Sequence, residues 1–171
     1  DTAEKEVLFP FGYGLSYTTF AYSDIKVSSK DIKDTDTLEV SFKIKNTGSV
    51  DGAEIAEIYV ADKESTIFRP KKELRAFTKV FLKAGEEKEV TVELGKRAFA
   101  YYNVNIGDWH VETGAFEILV GASSRDIRLT ETVNVTSTVE AQIPDYRKTA
   151  PAYYTADLSG MKGEQFEAVY G

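Results

Sequence analysis

Carboxylates are the most abundant side chains in this sequence that could act in acid–base chemistry. There are 28 Asp and Glu residues against 21 Lys and Arg, but a general acid or base must be held in a cleft beside its substrate. Glu39, Glu89 and Glu93 instead alternate with apolar residues, and this spacing places them on the outward face of predicted strands. We interpret them as a solvated surface rather than as catalytic groups.

Nucleophilic catalysis and phosphate binding find no better support. His110 is the only histidine, so every triad would have to share it, and Ser123-Ser124 lacks a Gly-x-Ser-x-Gly turn. The glycine-rich run at residues 12–16 lacks the lysine of a phosphate-binding loop. The chain has no cysteine, which excludes disulfides and a cysteine-based zinc site. We predict no catalytic residue, no metal site and no cofactor.

Aromatic residues are the remaining candidates for a binding site. Trp109, Tyr101 and Tyr102 lie close together in the sequence, and the faces of such rings can stack on sugars, so the three could form a carbohydrate-binding platform. In the alternative, Tyr101 or Tyr102 fills a corner of the fold while Trp109 covers a loop. We favour the second interpretation. For His110, a position in a loop or at a strand edge and a functional role stand as equal alternatives.

Charge and hydropathy exclude several classes of partner. The net charge is −7, whereas nucleic acids and anionic membranes bind basic surfaces. Every apolar run is far shorter than the ~20 residues of a membrane-spanning helix. Residues 1–6 do not resemble a signal peptide. We therefore expect neither a nucleic acid nor a membrane as a partner.

The elements that must position these side chains are predicted to be strands. From Phe20 to Val135, short alternating runs are separated by turn residues at intervals of roughly 8–12 residues, which is typical of a β-sandwich. The clearest run, residues 38–45, points four apolar side chains to one face: Leu38, Val40, Phe42 and Ile44. The pattern predicts an all-β, immunoglobulin- or fibronectin-III-like sandwich of seven to eight strands over residues 20–138.

One strand pair and both flanks complete this organisation. Residues 74–82 and 88–94 alternate and are joined by a short turn, which predicts a hairpin. Residues 1–19 are rich in glycine and aromatic residues and form a linker. Residues 139–171 are predicted to be an extended arm, because Pro144 and Pro151 disfavour helix, with a short helix within residues 160–169.

The N-terminal flank carries a specific motif. The thirteen residues are Leu8-Phe9-Pro10-Phe11-Gly12-Tyr13-Gly14-Leu15-Ser16-Tyr17-Thr18-Thr19-Phe20. They resemble the Pro-Phe-Gly-x-Gly-Leu-Ser-Tyr-Thr-x-Phe motif of glycoside hydrolase family 3, the β-glucosidases and their relatives. In that family the motif closes an α/β sandwich domain and leads into a fibronectin-type-III-like domain. The chain resembles that domain as far as Val135, including Asn46-Thr47-Gly48, Arg69-Pro70, Trp109 with Gly114, and Val120-Gly121.

The resemblance implies a module without its own catalytic residues. In that family the nucleophilic Asp belongs to a (β/α)8 barrel and the acid/base carboxylate to the barrel or to the α/β sandwich, so no catalytic role transfers to any position here. The chain is expected to be an accessory module of a retaining β-glucosidase-like enzyme, with residues 1–19 ending the preceding α/β domain. Residues 165–171 resemble the linker of clostridial-type members, in which the barrel comes last.

The expected partners follow from the same resemblance. They are the catalytic barrel and the α/β sandwich domain of the parent chain, and a β-glucan or β-glucoside if the alternative function, carbohydrate binding through Trp109, holds. The expected compartment is the cytoplasm of a bacterium. Exposed apolar residues usually mark an interface, and the predicted interdomain contacts are Phe9, Phe11, Tyr13, Leu15 and Tyr17.

A loop at residues 62–72 is the last candidate. It contains Phe68 and Arg69 and is long enough to reach toward the active site of a parent enzyme, where it would shape the outer subsites. The alternative, which we favour, is a surface loop packed on its own sandwich.

Overall fold

Nearly all the regular structure of this chain is strand. The computed structural model describes residues 6–155 and 159–170. The strands are β1 (Phe20–Val27), β2 (Asp31–Lys33), β3 (Leu38–Asn46), β4 (Gly52–Asp62), β5 (Glu73–Leu82), β6 (Glu87–Leu94), β7 (Tyr101–Asn103), β8 (Asp108–His110), β9 (Gly114–Ser123) and β10 (Asp126–Thr136). A 3₁₀ turn, Lys96–Ala98, precedes β7, and the helices are α1 (Ala152–Thr155) and α2 (Gly163–Tyr170).

The strands form a sandwich of two sheets. One sheet has the order β1–β3–β6 and the other the order β2–β10–β9–β4–β5. All neighbouring strands are antiparallel except β10 and β2, which are parallel. Strands β7 and β8 form a separate hairpin. The predicted fold class is confirmed, and the hairpin is additional to the strands of the two sheets.

The core lies between the two sheets. Strand β3 supplies the four residues that were predicted to face inward, and all are fully buried: Leu38, Val40, Phe42 and Ile44. Ile58 and Val60 of β4 lie in the same cluster. The Phe116 ring of β9 meets the Phe99 ring edge-on, with centroids 5.4 Å apart. Because each fully buried side chain of this size stabilises the fold by about 1.5–3 kcal/mol, this core is large enough to hold the sandwich together.

The predicted hairpin of β5 with β6 is wrong. Strand β5 pairs with β4, whereas β6 pairs with β3 in the opposite sheet. The turn between them therefore crosses from one sheet to the other. It is closed by a hydrogen bond from Lys83 N to Glu86 Oε2 (2.7 Å) and anchored by one from Gly85 N to Asn46 O (3.1 Å). A period of two fixes which residues face inward, but it does not fix the partner strand.

The C-terminal arm begins on the sandwich. Thr138 N donates a hydrogen bond to Asp34 Oδ1 (2.9 Å), and Ala150 is fully buried. The predicted helix within residues 160–169 corresponds to α2, whereas α1 was not predicted. Residues 1–5 of the predicted linker and residues 156–158 and 171 of the predicted arm lie outside the described residues. Within the described part of the chain, every helix is too short or too polar to cross a bilayer.

Candidate interdomain surface

The N-terminal segment, residues 6–19, presents an almost continuous apolar surface. Leu8 is 88% exposed, Leu15 is 90% exposed and Tyr17 is fully exposed. Leu15 and Tyr17 are predicted contacts, Leu8 is not, and the other three predicted contacts are at least half exposed as well: Phe9, Phe11 and Tyr13. Because soluble proteins seldom leave contiguous apolar surface in water, a patch of this kind generally marks an interaction site.

The backbone of this segment is attached to the five-stranded sheet near its middle, at Phe11. Phe11 O accepts a hydrogen bond from Ser124 N (2.8 Å). Gly12 has a φ of +79°, a conformation that favours glycine, and it lies against the Glu57 carboxylate. Glu57 is nearly buried and accepts a hydrogen bond from Tyr59 Oη (2.5 Å). Burial, and then this bond to Glu57, raise the pKa of the Tyr59 phenol.

A second attachment holds the end of the segment. Asn46 Oδ1 accepts hydrogen bonds from Thr18 Oγ1 (2.6 Å) and Gly48 N (3.1 Å). Its amide nitrogen donates to Val50 O (2.8 Å) and Leu82 O (3.2 Å). A Cβ at Gly48 would collide with the Thr18 side chain. The segment is thus attached to the sandwich at Phe11 and at Thr18, while its apolar side chains are exposed.

The β7–β8 hairpin holds the C-terminal arm on the sandwich. His110 Nε2 donates to Val139 O (3.1 Å), and Nδ1 is hydrogen-bonded to Tyr101 Oη (3.1 Å). Asn103 Nδ2 donates to Gln142 O (3.2 Å). Since His110 is only 3% exposed and both ring nitrogens are engaged, its geometry fits an anchoring role at a strand edge.

The three aromatic residues of the predicted carbohydrate platform do not share one face. Tyr101 is buried, and burial and then the charge of Glu112 raise its pKa to about 12. Tyr102 is half exposed and meets Trp109 edge-on, with centroids 5.7 Å apart. The guanidinium carbon of Arg97 lies 3.4 Å from the centroid of the Trp109 ring. A cation therefore covers one face of Trp109, and the burial of Tyr101 agrees with the corner-filling alternative.

The Arg69 side chain is buried against other residues of this domain. Its side chain is 6% exposed, and Nη2 lies 2.7 Å from Glu73 Oε2. Nη1 lies 3.5 Å from Asp62 Oδ2 and donates to Phe99 O (2.9 Å). Burial raises the pKa of Asp62, while the Glu64 amide and Arg69 act in the opposite direction. The guanidinium group thus binds groups of this domain.

Phe68 occupies the outer side of the same loop. It is 39% exposed, and its ring meets that of Tyr154 in α1 edge-on, with centroids 6.1 Å apart. Tyr154 Oη donates to Thr66 O (3.1 Å). The loop and the arm therefore stabilise each other. A role of the loop in shaping a subsite of a parent enzyme stays a prediction.

Three exposed apolar residues were missed by the sequence analysis. Ile55, Phe77 and Phe81 lie on the outer face of β4 and β5 and are 48%, 69% and 55% exposed. Part of the signal was present, because Phe77 and Phe81 lie on the face of residues 74–82 opposite to that of Val80 and Leu82, whereas the outward face of such a strand is normally polar. These residues extend the apolar surface beyond the N-terminal segment.

The acidic residues that the sequence analysis singled out lie on the surface of the domain. Glu39, Glu89 and Glu93 are exposed, as predicted. Among residues 6–155 and 159–170, no three or more His, Cys, Asp or Glu side chains are grouped so that they could hold a metal ion.

Comparison with known proteins identifies the domain. The model of the fibronectin type III-like domain matches residues 54–124, which run from β4 to the end of β9. A solved structure of a GH3 β-glucosidase from Bifidobacterium adolescentis superposes with a TM-score of 0.74 at 39% sequence identity, over 91% of this chain and 23% of that one. The sandwich is thus a fibronectin type III-like domain.

The curated relatives place this domain in a particular family. Thermostable β-glucosidase B of Acetivibrio thermocellus is 59% identical over 140 residues, 82% of this chain and 18% of that protein. An exo-α-(1→6)-L-arabinopyranosidase of Bifidobacterium breve is 50% identical over 133 residues, 78% of this chain and 17% of that protein. The chain belongs to the fibronectin type III-like domains of glycoside hydrolase family 3. It spans less than a fifth of the length of these relatives.

Proposed function

We propose that this chain is a structural module of a β-glucosidase-like hydrolase and braces the catalytic domains of its parent protein. The N-terminal segment carries this proposal, because its backbone is fixed on the sandwich by Ser124 and Asn46 while its apolar side chains remain exposed. The enzymes that the chain resembles are several times longer, so further domains would be available to cover this surface. The comparisons give no support to carbohydrate binding as an alternative.

The activity of the parent is part of the same proposal. By its relatives, the parent hydrolyses β-glucosides, with retention of configuration, at residues outside this chain. The segment before residue 20 ends the α/β sandwich domain, the sandwich occupies residues 20–138, and the arm from residue 139 onward leads to the barrel. The proposed compartment is the bacterial cytoplasm.

The test replaces two exposed leucines and compares the effect on the thermal midpoint of the full-length protein with the effect on that of the 171-residue chain. Leu8→Ser together with Leu15→Ser should lower the thermal midpoint of the full-length protein by several degrees, since each leucine would lose about 1.5–3 kcal/mol of burial. The same changes in the 171-residue chain should leave its midpoint unchanged, because both side chains are exposed there. Differential scanning calorimetry measures both, and aryl β-glucoside hydrolysis reports the activity.

The matched control is Val104→Ser. Val104 is 70% exposed but lies in the turn between β7 and β8, away from the segment. It should alter neither protein. A full-length double variant with unchanged thermal midpoint and activity would exclude bracing through this segment.

A further inference from the structure

A cavity outside the N-terminal segment gathers cationic side chains in an acidic chain. It has a volume of about 390 Å3 and lies where β6 ends and the 3₁₀ turn Lys96–Ala98 begins. Arg75, Lys96 and Arg97 line it, and Glu93 is the one carboxylate among the described residues that line it. Because the whole chain carries a net charge of −7, a cavity with three cations against one anion needs an explanation.

Arg97 is exposed and carries hydrogen-bond donors that the domain does not use. Its guanidinium carbon lies 3.4 Å from the centroid of the Trp109 ring, so stacking on this ring orients the group. The N–H groups of a guanidinium lie in its plane, and a ring on one face leaves them free to donate. Among residues 6–155 and 159–170, no carboxylate pairs with Arg97 and no acceptor binds its N–H groups.

Lys96 and Arg75 add positive charge to the same cavity. Lys96 Nζ lies 4.0 Å from Asp34 Oδ2, which is too far for a hydrogen bond. Arg75 Nη2 lies 2.8 Å from Glu73 Oε1, whereas its buried Nε has no hydrogen-bond partner in the described part of the chain. Burial lowers the pKa of Arg75, Glu73 acts in the opposite direction, and the positive charge of Arg97 lowers it further. The cations of the cavity therefore repel one another, and a bound anion would relieve this repulsion.

We propose that this cavity binds a phosphoryl group, as free phosphate or as a phosphate monoester. A phosphoryl group offers three strong acceptor oxygens, which match the free N–H groups of Arg97 and Lys96, and arginine often binds phosphate through two parallel hydrogen bonds. A carboxylate offers only two oxygens and a single charge. No residue that lines the cavity belongs to the N-terminal segment, so this binding site is separate from the surface that carries the proposed function.

Phosphate binding is measured on the 171-residue chain, in which Trp109 is the only tryptophan. Phosphate added at constant ionic strength should change the Trp109 emission to saturation, because it binds the guanidinium that lies on that ring. Broadening of the phosphorus-31 resonance of phosphate provides a readout that does not depend on Trp109. Arg97→Met and Lys96→Gln should each weaken binding about tenfold or more, since each removes hydrogen bonds between charged groups. Glu93→Gln should instead strengthen binding, because it removes a negative charge from the cavity.

The matched control is Arg128→Met. The Arg128 guanidinium carbon also lies over an aromatic ring, 5.6 Å from the centroid of Tyr22, but Arg128 pairs with Asp126 and lines a different cavity. This variant should bind phosphate as the unmodified chain does. Absence of saturable binding, or an equal loss in the Arg97→Met and Arg128→Met variants, would overturn the phosphoryl site.

Two further ligands define the chemistry of the site. Acetate that binds as tightly as phosphate would also overturn the proposal, since the cavity would then accept any small anion. Methyl phosphate that binds as tightly as phosphate would support a phosphate monoester as the ligand, and much weaker binding of methyl phosphate would support free phosphate.

Discussion

At the residue scale, Arg69 illustrates how a candidate functional group becomes a structural one. An arginine followed by proline in a polar loop could contact a ligand, but the Arg69 guanidinium lies against Asp62, Glu73 and the carbonyl oxygen of Phe99. Asp62 is itself almost buried. A buried ion pair contributes little net stability compared with apolar packing, yet the loss of one partner is costly because the other charge is stranded.

Replacing Arg69 should therefore strongly destabilise the domain. Arg69→Met leaves Asp62 without its cation, and we expect the free energy of unfolding to fall by about 3–5 kcal/mol. Urea denaturation followed by circular dichroism measures this change. Adding Asp62→Asn should recover part of the loss, since the stranded charge is then removed.

An exposed arginine provides the matched control. Arg147 pairs with Asp145 at 2.7 Å, but both side chains are about half exposed, so Arg147→Met should barely change the stability. Equal effects of the two substitutions would contradict the buried role of Arg69.

Glu54 predicts a pH dependence of stability. Tyr22 Oη in one sheet donates to Glu54 Oε1 in the other (2.8 Å). Burial raises the pKa of Glu54 above its ordinary value of 4.5, although this hydrogen bond and Arg128 act in the opposite direction. Because the folded state then holds the proton more tightly than the unfolded chain, the contribution of Glu54 to stability is full below pH 4.5 and is lost as the pH rises through the folded pKa.

The Glu54→Gln variant should lack this pH dependence of stability. The amide keeps an acceptor for Tyr22 and does not ionise, so the stability of the variant relative to the unmodified chain should be higher at pH 7 than at pH 4. Free energies of unfolding at the two pH values provide the comparison, with the exposed Glu167→Gln as control. A relative stability that decreases from pH 4 to pH 7 would contradict the raised pKa.

At the element scale, the sequence predicts strands far better than their partners. The alternation in β3 predicts which residues are buried, because successive side chains of a strand point to opposite faces of its sheet and only one face lies against the core. The partner of β6 was not predictable in this way. The turn at Lys83–Glu86 joins strands of two different sheets, but a turn of similar composition could equally join two neighbouring strands of one sheet. The motif of residues 8–20 predicted exposed apolar side chains, but the attachments of Gly12 and Thr18 depend on strands distant in sequence.

The C-terminal arm shows the same limit. Its prolines predict a non-helical segment, and α2 was predicted from its composition. The contacts that hold the arm, His110 with Val139 and Tyr154 with Thr66, join residues 29 and 88 positions apart. No local pattern encodes such pairs, so the anchoring role of His110 was only one of the alternatives that the sequence left open.

At the scale of the whole molecule, the buried residues of both sheets form one cluster. It includes Phe42 of the three-stranded sheet, Phe116 of the five-stranded sheet and Val111 beside the β7–β8 hairpin, and Trp109 packs against it. A single contiguous core favours cooperative unfolding of the entire sandwich. The exposed apolar surface lies outside this cluster, so the 171-residue chain does not need that surface to be covered in order to fold.

Two phenylalanines test this separation of core from surface. Phe42→Ala should lower the free energy of unfolding of the 171-residue chain by about 3–5 kcal/mol, because Phe42 is fully buried. Phe77→Ala, at a ring 69% exposed, should change it by no more than about 0.5 kcal/mol. Trp109 fluorescence and far-ultraviolet circular dichroism should report one coincident urea transition in each case. A Trp109 transition that precedes the loss of strand signal would mean that the β7–β8 hairpin unfolds separately and that the domain has more than one cooperative unit.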